Sequence, residues 1–169
     1  MNRSNEYVFV AFCTLAQGVR ASGIVRKFAA TIKPVLQLLM DSDINIFQMP
    51  CPELVFDSFH RRPCGKKKYD TLGNRRVCRK EAELVVDQME MLLEAGCRIR
   101  AILGIENSPS CAVTYLGKGP HRPGYAGKGI FIEELEKEMS RRGVKIPIVG
   151  IQAYHINQTV AEIRKLLRR

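Results

Sequence analysis

The sequence predicts an α/β protein built on an open, mostly parallel β-sheet with helices on both faces, a Rossmann-like arrangement. Short apolar runs of strand length alternate along the chain with helical patterns, and glycine or proline stands near most of their ends. Parallel strands need long crossovers, so this alternation favours a parallel sheet. The chain has 169 residues, 46% of them hydrophobic, which predicts a single α/β domain over residues 1–169.

The first half of the chain contains two predicted strands and one predicted helix. Residues 7–12 form an apolar run typical of a strand. Residues 24–39 place apolar side chains at three- and four-residue steps, which predicts a helix that Pro34 should kink or shorten. Residues 44–49 predict a second buried strand, and Pro50 ends it because proline cannot continue a central strand.

The second half continues the alternation after an irregular segment. Residues 57–79 carry eight arginines and lysines, and we expect them to form an irregular basic loop. Residues 115–129 contain five glycines and two prolines, which predicts a second loop. The other predicted elements are a helix over 80–95 that stops at Gly96, a strand over 98–105, a helix over 131–142 that stops at Gly143, a strand over 144–151, and a helix over 159–167 with Thr159 and Glu162 in capping-box spacing.

The composition of the chain predicts the charge of its partners and its location in the cell. The formal net charge of +10 favours anionic partners such as nucleotides, RNA or phosphorylated metabolites, although solvated loop charge is the alternative explanation. No apolar run approaches the ~20 residues that cross a bilayer, and the N-terminus lacks the pattern of a signal peptide. We therefore expect a cytoplasmic protein without a membrane span, in which the six cysteines are reduced.

Three of the six cysteines share one position relative to the predicted strands. Cys13, Cys51 and Cys111 each lie at, or a few residues beyond, the C-terminal end of a strand. Parallel strands bring these ends to one edge of the sheet, where α/β proteins bind ligands. No CxxC pair is present, so a zinc ribbon or a thioredoxin-type motif is not supported. The shared position of the three cysteines predicts a common metal or cluster site. Any one of them alone would be interpreted as a small buried apolar residue.

The number of cysteines bears on the kind of centre they would hold. Thiolates select zinc or iron–sulfur clusters among the common metal groups. A structural zinc takes a fourth protein ligand, and a cluster that only transfers electrons normally takes four cysteines. Three cysteines on a four-iron cluster leave one iron without a protein ligand, so the count favours a centre at which chemistry occurs.

Polar residues close to these cysteines extend the predicted site. Glu53 lies two residues after the second cysteine, and Ser108 and Ser110 flank a proline just before the third. A carboxylate beside a metal can act as general acid or base, and a serine hydroxyl can relay a proton. The alternative is a solvent-facing glutamate and two turn-forming serines. Further candidate ligands or acids are His60, His121 and His155.

At these positions the sequence resembles the thiouracil desulfidase family. The matching segments are Val10-Ala11-Phe12-Cys13, Met49-Pro50-Cys51-Pro52-Glu53, Asn107-Ser108-Pro109-Ser110-Cys111 and the Gly127-Lys128-Gly129 turn before a helix. They follow the family's order over most of the chain. Two departures mark a divergent branch. Ala21 stands where the family has the tyrosine of an Arg-Tyr pair, and Ala112 stands where it often has glycine.

The resemblance implies an enzyme with an iron–sulfur cofactor. The family is understood to use three cysteines to hold a [4Fe–4S] cluster whose free iron takes sulfur from a thiolated substrate. Matched position by position, the ligands would be Cys13, Cys51 and Cys111. Glu53 would be the catalytic base and either Ser108 or Ser110 the proton relay, with Ser108 slightly favoured. The implied reaction is hydrolytic or reductant-free removal of sulfur from a small, anionic thiolated molecule such as a thiouracil or thionucleotide, with release of hydrosulfide.

A different class of function stays open on sequence alone. The alternative is a non-catalytic nucleotide- or RNA-binding module whose cysteines are structural or bind zinc. The basic segment over residues 57–79 would attract such a ligand. However, Tyr69 is the only aromatic residue between Arg61 and Lys80, whereas RNA-recognition surfaces interleave aromatic and basic side chains. A small-molecule substrate is therefore favoured over nucleic acid.

Overall fold

The computed structural model describes residues 3–118 and 123–168. Four parallel strands form the main sheet, and two short antiparallel strands pair separately. The elements in chain order are β1 (Glu6–Val10), α1 (Phe12–Leu15), α2 (Lys33–Asp41), β2 (Asn45–Gln48), α3 (Pro52–Phe56), α4 (Lys66–Tyr69), α5 (Leu72–Glu94), β3 (Arg98–Ile105), β4 (Tyr115–Leu116), β5 (Tyr125–Ala126), α6 (Ile130–Arg142), β6 (Ile148–Ile151) and α7 (Ile156–Leu167). The predicted α/β class with a mostly parallel sheet is confirmed.

The order of the strands in the main sheet is β2-β1-β3-β6. The central strand β1 reads as an apolar run because both of its faces are covered, and Val8, Phe9 and Val10 are buried. The chain passes outward from β1 to β2 and then crosses back over β1 to β3. In open α/β sheets, ligands bind beyond the C-terminal ends of the strands at such a reversal of direction. A ligand-binding site is therefore expected in the crevice beyond the C-terminal ends of β1 and β3.

The main helices pack in two pairs that cover the two faces of the sheet. α5 contacts α6, and α2 contacts α7. The core between helices and sheet is mostly aliphatic, with Phe9 and Phe131 among its largest fully buried side chains. This composition agrees with a chain that has no tryptophan and few aromatic residues.

The helix predicted over residues 24–39 is shorter than expected. α2 begins only at Lys33, and Pro34 lies in its first turn. Proline is favoured there because the first amides of a helix have no intrahelical partner and the fixed φ of proline suits the helix. Of the two predicted effects of Pro34, a kink or a shorter helix, the structure shows the shorter helix, because Pro34 lies in the first turn of α2. Residues 24–32 form an irregular segment instead.

The basic segment is partly helical, so the prediction of an irregular loop over residues 57–79 was wrong. α4 lies within this segment, and α5 begins in it. The Thr71 hydroxyl caps α5 by accepting a hydrogen bond from the Asn74 amide. Arg75 forms ion pairs with Glu133 and Glu134 of α6, which offset the repulsion between neighbouring cations. Neither α5 nor any other described helix is apolar over a length that would cross a membrane.

Further differences from the predicted elements lie in the second half of the chain. β6 covers only the second half of the strand predicted over 144–151, since the amide of Val144 still closes the C-terminal end of α6. α7 begins before the predicted start, and Thr159 accepts a hydrogen bond from the Gln152 amide instead of capping the helix. The loop predicted over 115–129 contains the short β4–β5 ladder.

Candidate active site

A cavity of about 630 Å³ lies beyond the C-terminal edge of the sheet. Its wall is built from the segments that follow β1, β2, β3 and β6 and from the irregular segments near residues 20–32 and 61–64. The residues of the predicted site that line it are Cys13, Cys51, Glu53, Ser108 and Cys111. The topology thus brings together side chains from three separate strand ends.

Cys13 lies in the one-turn helix α1, directly after β1. The Ala11 amide still donates to the Leu103 carbonyl of the neighbouring strand, and the Thr14 amide then donates back to the Ala11 carbonyl. The Gln17 side chain donates to the Cys13 carbonyl at 2.5 Å. These bonds end the strand, turn the chain and hold Cys13 at the edge of the sheet.

Cys51 occupies the position immediately before α3. The Met49 amide makes the last hydrogen bond to β1, and Pro52 then begins the helix. The Leu54 amide donates to the Cys51 carbonyl at 3.0 Å. The sequence Pro-Cys-Pro therefore ends a strand and starts a helix in one step. The same step puts Glu53 in the first turn of α3, next to the cysteine.

Cys111 lies in a tight turn after β3. Asn107 begins the turn with a left-handed φ of 66°, which asparagine tolerates better than most residues. The Ser108 hydroxyl accepts hydrogen bonds from the amides of Ser110 at 3.2 Å and Cys111 at 3.0 Å. The turn packs closely against the start of α6, because a Cβ at Gly129 would lie 2.3 Å from the Ser110 carbonyl oxygen.

A buried carboxylate fixes the chain just beyond this turn. Glu106 is 5% exposed, and it accepts hydrogen bonds from the amides of residues 113–115. The Thr114 hydroxyl donates to it at 2.9 Å. A buried charge is stable only when hydrogen bonds compensate it, so Glu106 organises this loop. Sequence reasoning missed this residue because nothing near Glu106 in the chain indicates which amides will surround it.

The three cysteine sulfurs lie within electrostatic range of one another. Burial raises the pKa of Cys13 to about 12; Arg20 counteracts this rise and Cys51 adds to it. Burial also raises the pKa of Cys51. The pKa of Cys111 is raised well above its usual value, first by burial and then by Cys13 and Cys51. A bound metal centre opposes such effects, because its charge holds coordinating thiols deprotonated.

The described residues contain no compact site for a single metal ion. Within residues 3–118 and 123–168, no three histidine, cysteine, aspartate or glutamate side chains come close enough together to hold one ion. The ligands of a cluster bind different iron atoms and need not meet around one point. Three soft sulfur donors on the wall of one cavity suit an iron–sulfur cluster by donor type.

Glu53 joins two parts of the cavity wall through its carboxylate. The Ser108 hydroxyl donates to Oε1 at 3.2 Å, and Arg61 Nε donates to Oε2 at 3.1 Å. The glutamate and one of the two serines singled out from the sequence are therefore in direct contact, although they are 55 residues apart. The predicted alternative of a solvent-facing glutamate does not hold, since Glu53 is buried.

The other candidates from the sequence lie elsewhere. Ser110 is fully buried, and among the described residues its hydroxyl has no hydrogen-bond partner. It does not belong to the described wall of the cavity. His60 and His155 are exposed and also lie outside that wall. His121 lies outside the described residues.

Part of the basic segment lines the cavity, contrary to the expectation of a solvated loop. The lining residues of this segment are Arg61, Arg62, Pro63, Cys64 and Tyr69. The Tyr69 hydroxyl donates to Asp57 at 2.9 Å, and burial raises the pKa of the Cys64 thiol. These positions could not be recognised from the sequence, because a run of basic residues normally indicates a solvated surface.

The mouth of the cavity is basic and its interior is largely apolar. The cationic side chains that line it, apart from Arg61, are Arg20, Arg26, Lys27 and Arg62. Three of these four residues are exposed, and Arg20 is half-buried. Apolar wall residues include Val19, Phe28 and Ile32. A cavity of this kind can hold an apolar ring inside and an anionic group at the rim.

Comparisons with known proteins agree with the architecture. No protein-family model matches the chain. The uncharacterized protein MJ0003 of Methanocaldococcus jannaschii is 25% identical over 147 residues, which make up 87% of this chain and 86% of that protein. The solved structure of the [4Fe-4S]-dependent thiouracil desulfidase TudS aligns with 96% of this chain and 98% of its own, with a TM-score of 0.53 and 22% identity. At this identity the alignment shows a shared fold.

Proposed function

We propose that this chain is an iron–sulfur desulfidase that removes sulfur from a small thiolated molecule, such as a thiouracil or thionucleotide, and releases hydrosulfide. The observation that carries the proposal is the meeting of three cysteines with the Glu53–Ser108 pair in one cavity. The fold shared with a protein named as a [4Fe-4S]-dependent thiouracil desulfidase supports it. In this proposal residues 1–169 act as a single domain.

The proposed cofactor is a [4Fe–4S] cluster held by Cys13, Cys51 and Cys111. Three protein ligands leave one iron open, and the cluster when bound supplies a Lewis acid for the substrate sulfur. The task of the chain is to hold the three thiols at separate strand ends. Hydrogen-bonded turns at each strand end, together with the close packing of Gly129 against the Cys111 turn, restrict the backbone that carries the three thiols.

Glu53 is the proposed general base. Hydrogen bonds to both of its oxygens fix the carboxylate in the cavity wall, and each oxygen keeps a lone pair for a further partner. Glu53 would take a proton from a water molecule as that water attacks the thiocarbonyl carbon. The reaction balances as a hydrolysis, since thiocarbonyl and water become carbonyl and hydrogen sulfide. It requires no reductant.

The size and charge of the cavity support the class of substrate. Its volume of about 630 Å³ lies within the roughly 300–1,000 Å³ typical of small-molecule sites. The apolar wall suits a thiolated heterocycle, and the basic rim suits an anionic substituent such as a phosphate. Both a free thiouracil and a thionucleotide therefore belong to the proposed class.

The direct test is an anaerobic assay of the reconstituted protein with 2-thiouracil, 4-thiouracil and their nucleoside monophosphates. We expect hydrosulfide to appear in step with the loss of thiocarbonyl absorbance, one for each molecule of substrate converted. Uracil and uridine monophosphate serve as blanks. Protein that carries its cluster but releases no hydrosulfide from any of these compounds would contradict the proposal.

The two serines are expected to differ in their effect on turnover. Ser108→Ala should lower the rate by about 100-fold or more, because it removes the hydroxyl that contacts Glu53. Ser110→Ala is the matched control, and it should keep the rate because the lost hydroxyl has no partner among the described residues. The rate of hydrosulfide release per cluster is the measurement. Equal losses in both variants would count against a relay at Ser108.

A further inference from the structure

We infer that Arg61 is a positioning residue, which holds the Glu53 carboxylate in place and ties together the loops that carry the cysteines. The inference rests on the proposed function and adds a residue from outside the predicted site. Arg61 is 5% exposed, although it belongs to the most basic segment of the chain. A cation buried to this degree needs partners for its charge and for its donors, and those partners reveal what it does.

The guanidinium of Arg61 contacts four groups around the cavity. Nε donates to Glu53 Oε2 at 3.1 Å. Nη2 donates to the Val19 carbonyl at 2.7 Å and lies 3.9 Å from Cys51 Sγ. Nη1 donates to the Ser58 carbonyl at 3.0 Å. One planar group thus contacts the base, a proposed cluster ligand and two stretches of backbone.

Together with the Glu53–Ser108 hydrogen bond, these contacts connect the loops that follow β1, β2 and β3. The Arg61 carbonyl also accepts a hydrogen bond from the Ser22 amide at 3.0 Å, so the segment that follows Cys13 is held at two points. The carboxylate of Glu53 continues the chain of bonds to Ser108. Ser108 in turn accepts from the Cys111 amide. Arg61, Glu53 and Ser108 therefore form one hydrogen-bonded chain across the site.

Loss of the guanidinium would free the base to move. Glu53 would keep its bond to Ser108 but lose the bond to its second oxygen, so the carboxylate could turn away from the attacking water. Misplacement of a reacting group by about 1 Å can lower a rate roughly 100-fold. Lysine cannot substitute fully, because an ammonium is a single point of charge and does not reproduce the planar fork of an arginine.

A double-mutant cycle on the reconstituted protein tests the inference, with Arg61→Met, Glu53→Gln and the double variant. If Arg61 acts through Glu53, Arg61→Met lowers kcat about 100-fold with KM little changed, and the double variant is no slower than Glu53→Gln alone. Losses that multiply in the double variant would overturn the inference.

The same cycle separates this inference from the proposed function. A normal rate in Arg61→Met beside a large loss in Glu53→Gln would overturn the inference and leave the proposed function standing. A normal rate in Glu53→Gln would overturn the inference, because Arg61 is argued to act through that residue. It would also remove Glu53 from the mechanism, but the measured turnover would leave the desulfidase standing. If Arg61→Met does not fold, Arg61→Lys takes its place in the cycle.

Two comparisons identify what the guanidinium contributes. Arg61→Lys keeps the charge but not the fork, and we expect a rate between those of the wild type and Arg61→Met. A wild-type rate in Arg61→Lys would show that only the positive charge of Arg61 matters, and it would overturn the positioning role.

Arg76→Met removes the same charge from an exposed position on α5 outside the cavity wall, and it should keep the wild-type rate. A loss in Arg76→Met equal to that in Arg61→Met would overturn the inference.

Binding of uracil, measured by calorimetry, distinguishes positioning from substrate binding. If Arg61 positions the general base Glu53, the Kd for uracil should be unchanged in Arg61→Met, although kcat falls. A Kd that rises in proportion to the loss in kcat would show that Arg61 binds the substrate instead and would overturn the inference. This measurement follows no reaction, so it does not depend on turnover.

Discussion

Replacing Glu53 with glutamine is expected to lower turnover by about 10²- to 10⁴-fold while the protein keeps its cluster. Glutamine has nearly the same shape, and its amide oxygen can still accept the hydrogen bond from Ser108. It has no carboxylate to take a proton from water. Since Glu53 is not one of the proposed ligands, iron content and visible absorbance should remain. The measurement is the rate of hydrosulfide release per cluster.

The control for this variant is Glu162→Gln, which makes the same chemical change on the exposed face of α7 and should leave the rate unchanged.

Glu53→Gln also removes the ion pair with Arg61, and a buried cation without its partner destabilises a protein by about 3–5 kcal/mol. The midpoint of urea unfolding separates this loss from an effect on catalysis. A normal rate would remove Glu53 from the mechanism. Loss of the cluster in Glu53→Gln would instead indicate that Glu53 holds the loop of the proposed ligand Cys51 in place.

The elements that could be predicted from sequence are those with strong local signals. The strand predicted over residues 98–105 coincides with β3, and the helix predicted over 131–142 differs from α6 by one residue at its start. The second half of β3, residues 101–105, is a continuous apolar and buried run, as expected of a central parallel strand. α6 ends at Gly143, whose left-handed φ of 72° is the conformation that glycine adopts most readily.

The elements that were mispredicted depend on contacts between distant parts of the chain. Apolar residues over 24–32 have helical spacing, but they line the cavity from an irregular segment. The first turns of α5 lie in a basic run that suggests a loop. Arg75 stabilises them through acidic residues of α6 that lie 58 and 59 positions away. No local pattern reveals such partners.

The candidate site divides in the same way. Cys13, Cys51 and Cys111 could be predicted to meet because parallel strands end at one edge, so their placement follows from topology alone. Arg61 could not be predicted, because one buried cation looks like its solvated neighbours in a basic segment. Its partner Val19 lies 42 residues away. The residues predicted well are therefore those whose positions follow from the sheet.

Replacing any one of the three proposed ligands with alanine is expected to remove the cluster. Wild-type protein, purified and reconstituted without oxygen, should hold about four irons and four sulfides per chain. The variants Cys13→Ala, Cys51→Ala and Cys111→Ala should lose iron, sulfide and visible absorbance together, because two thiolates leave two irons without a protein ligand. The measurement is iron, acid-labile sulfide and zinc per chain, alongside the visible spectrum.

Two other cysteines provide the controls that make this experiment decisive. Cys97 is half-buried before β3, outside the cavity wall, so Cys97→Ala should keep all of the iron. Cys64 lines the same cavity but follows no strand, and Cys64→Ala should keep the iron as well. Loss of iron in Cys64→Ala would mean that a fourth thiol fills the open position, which would contradict a substrate-binding iron. Zinc alone in well-folded wild-type protein would contradict the desulfidase and favour a binding module.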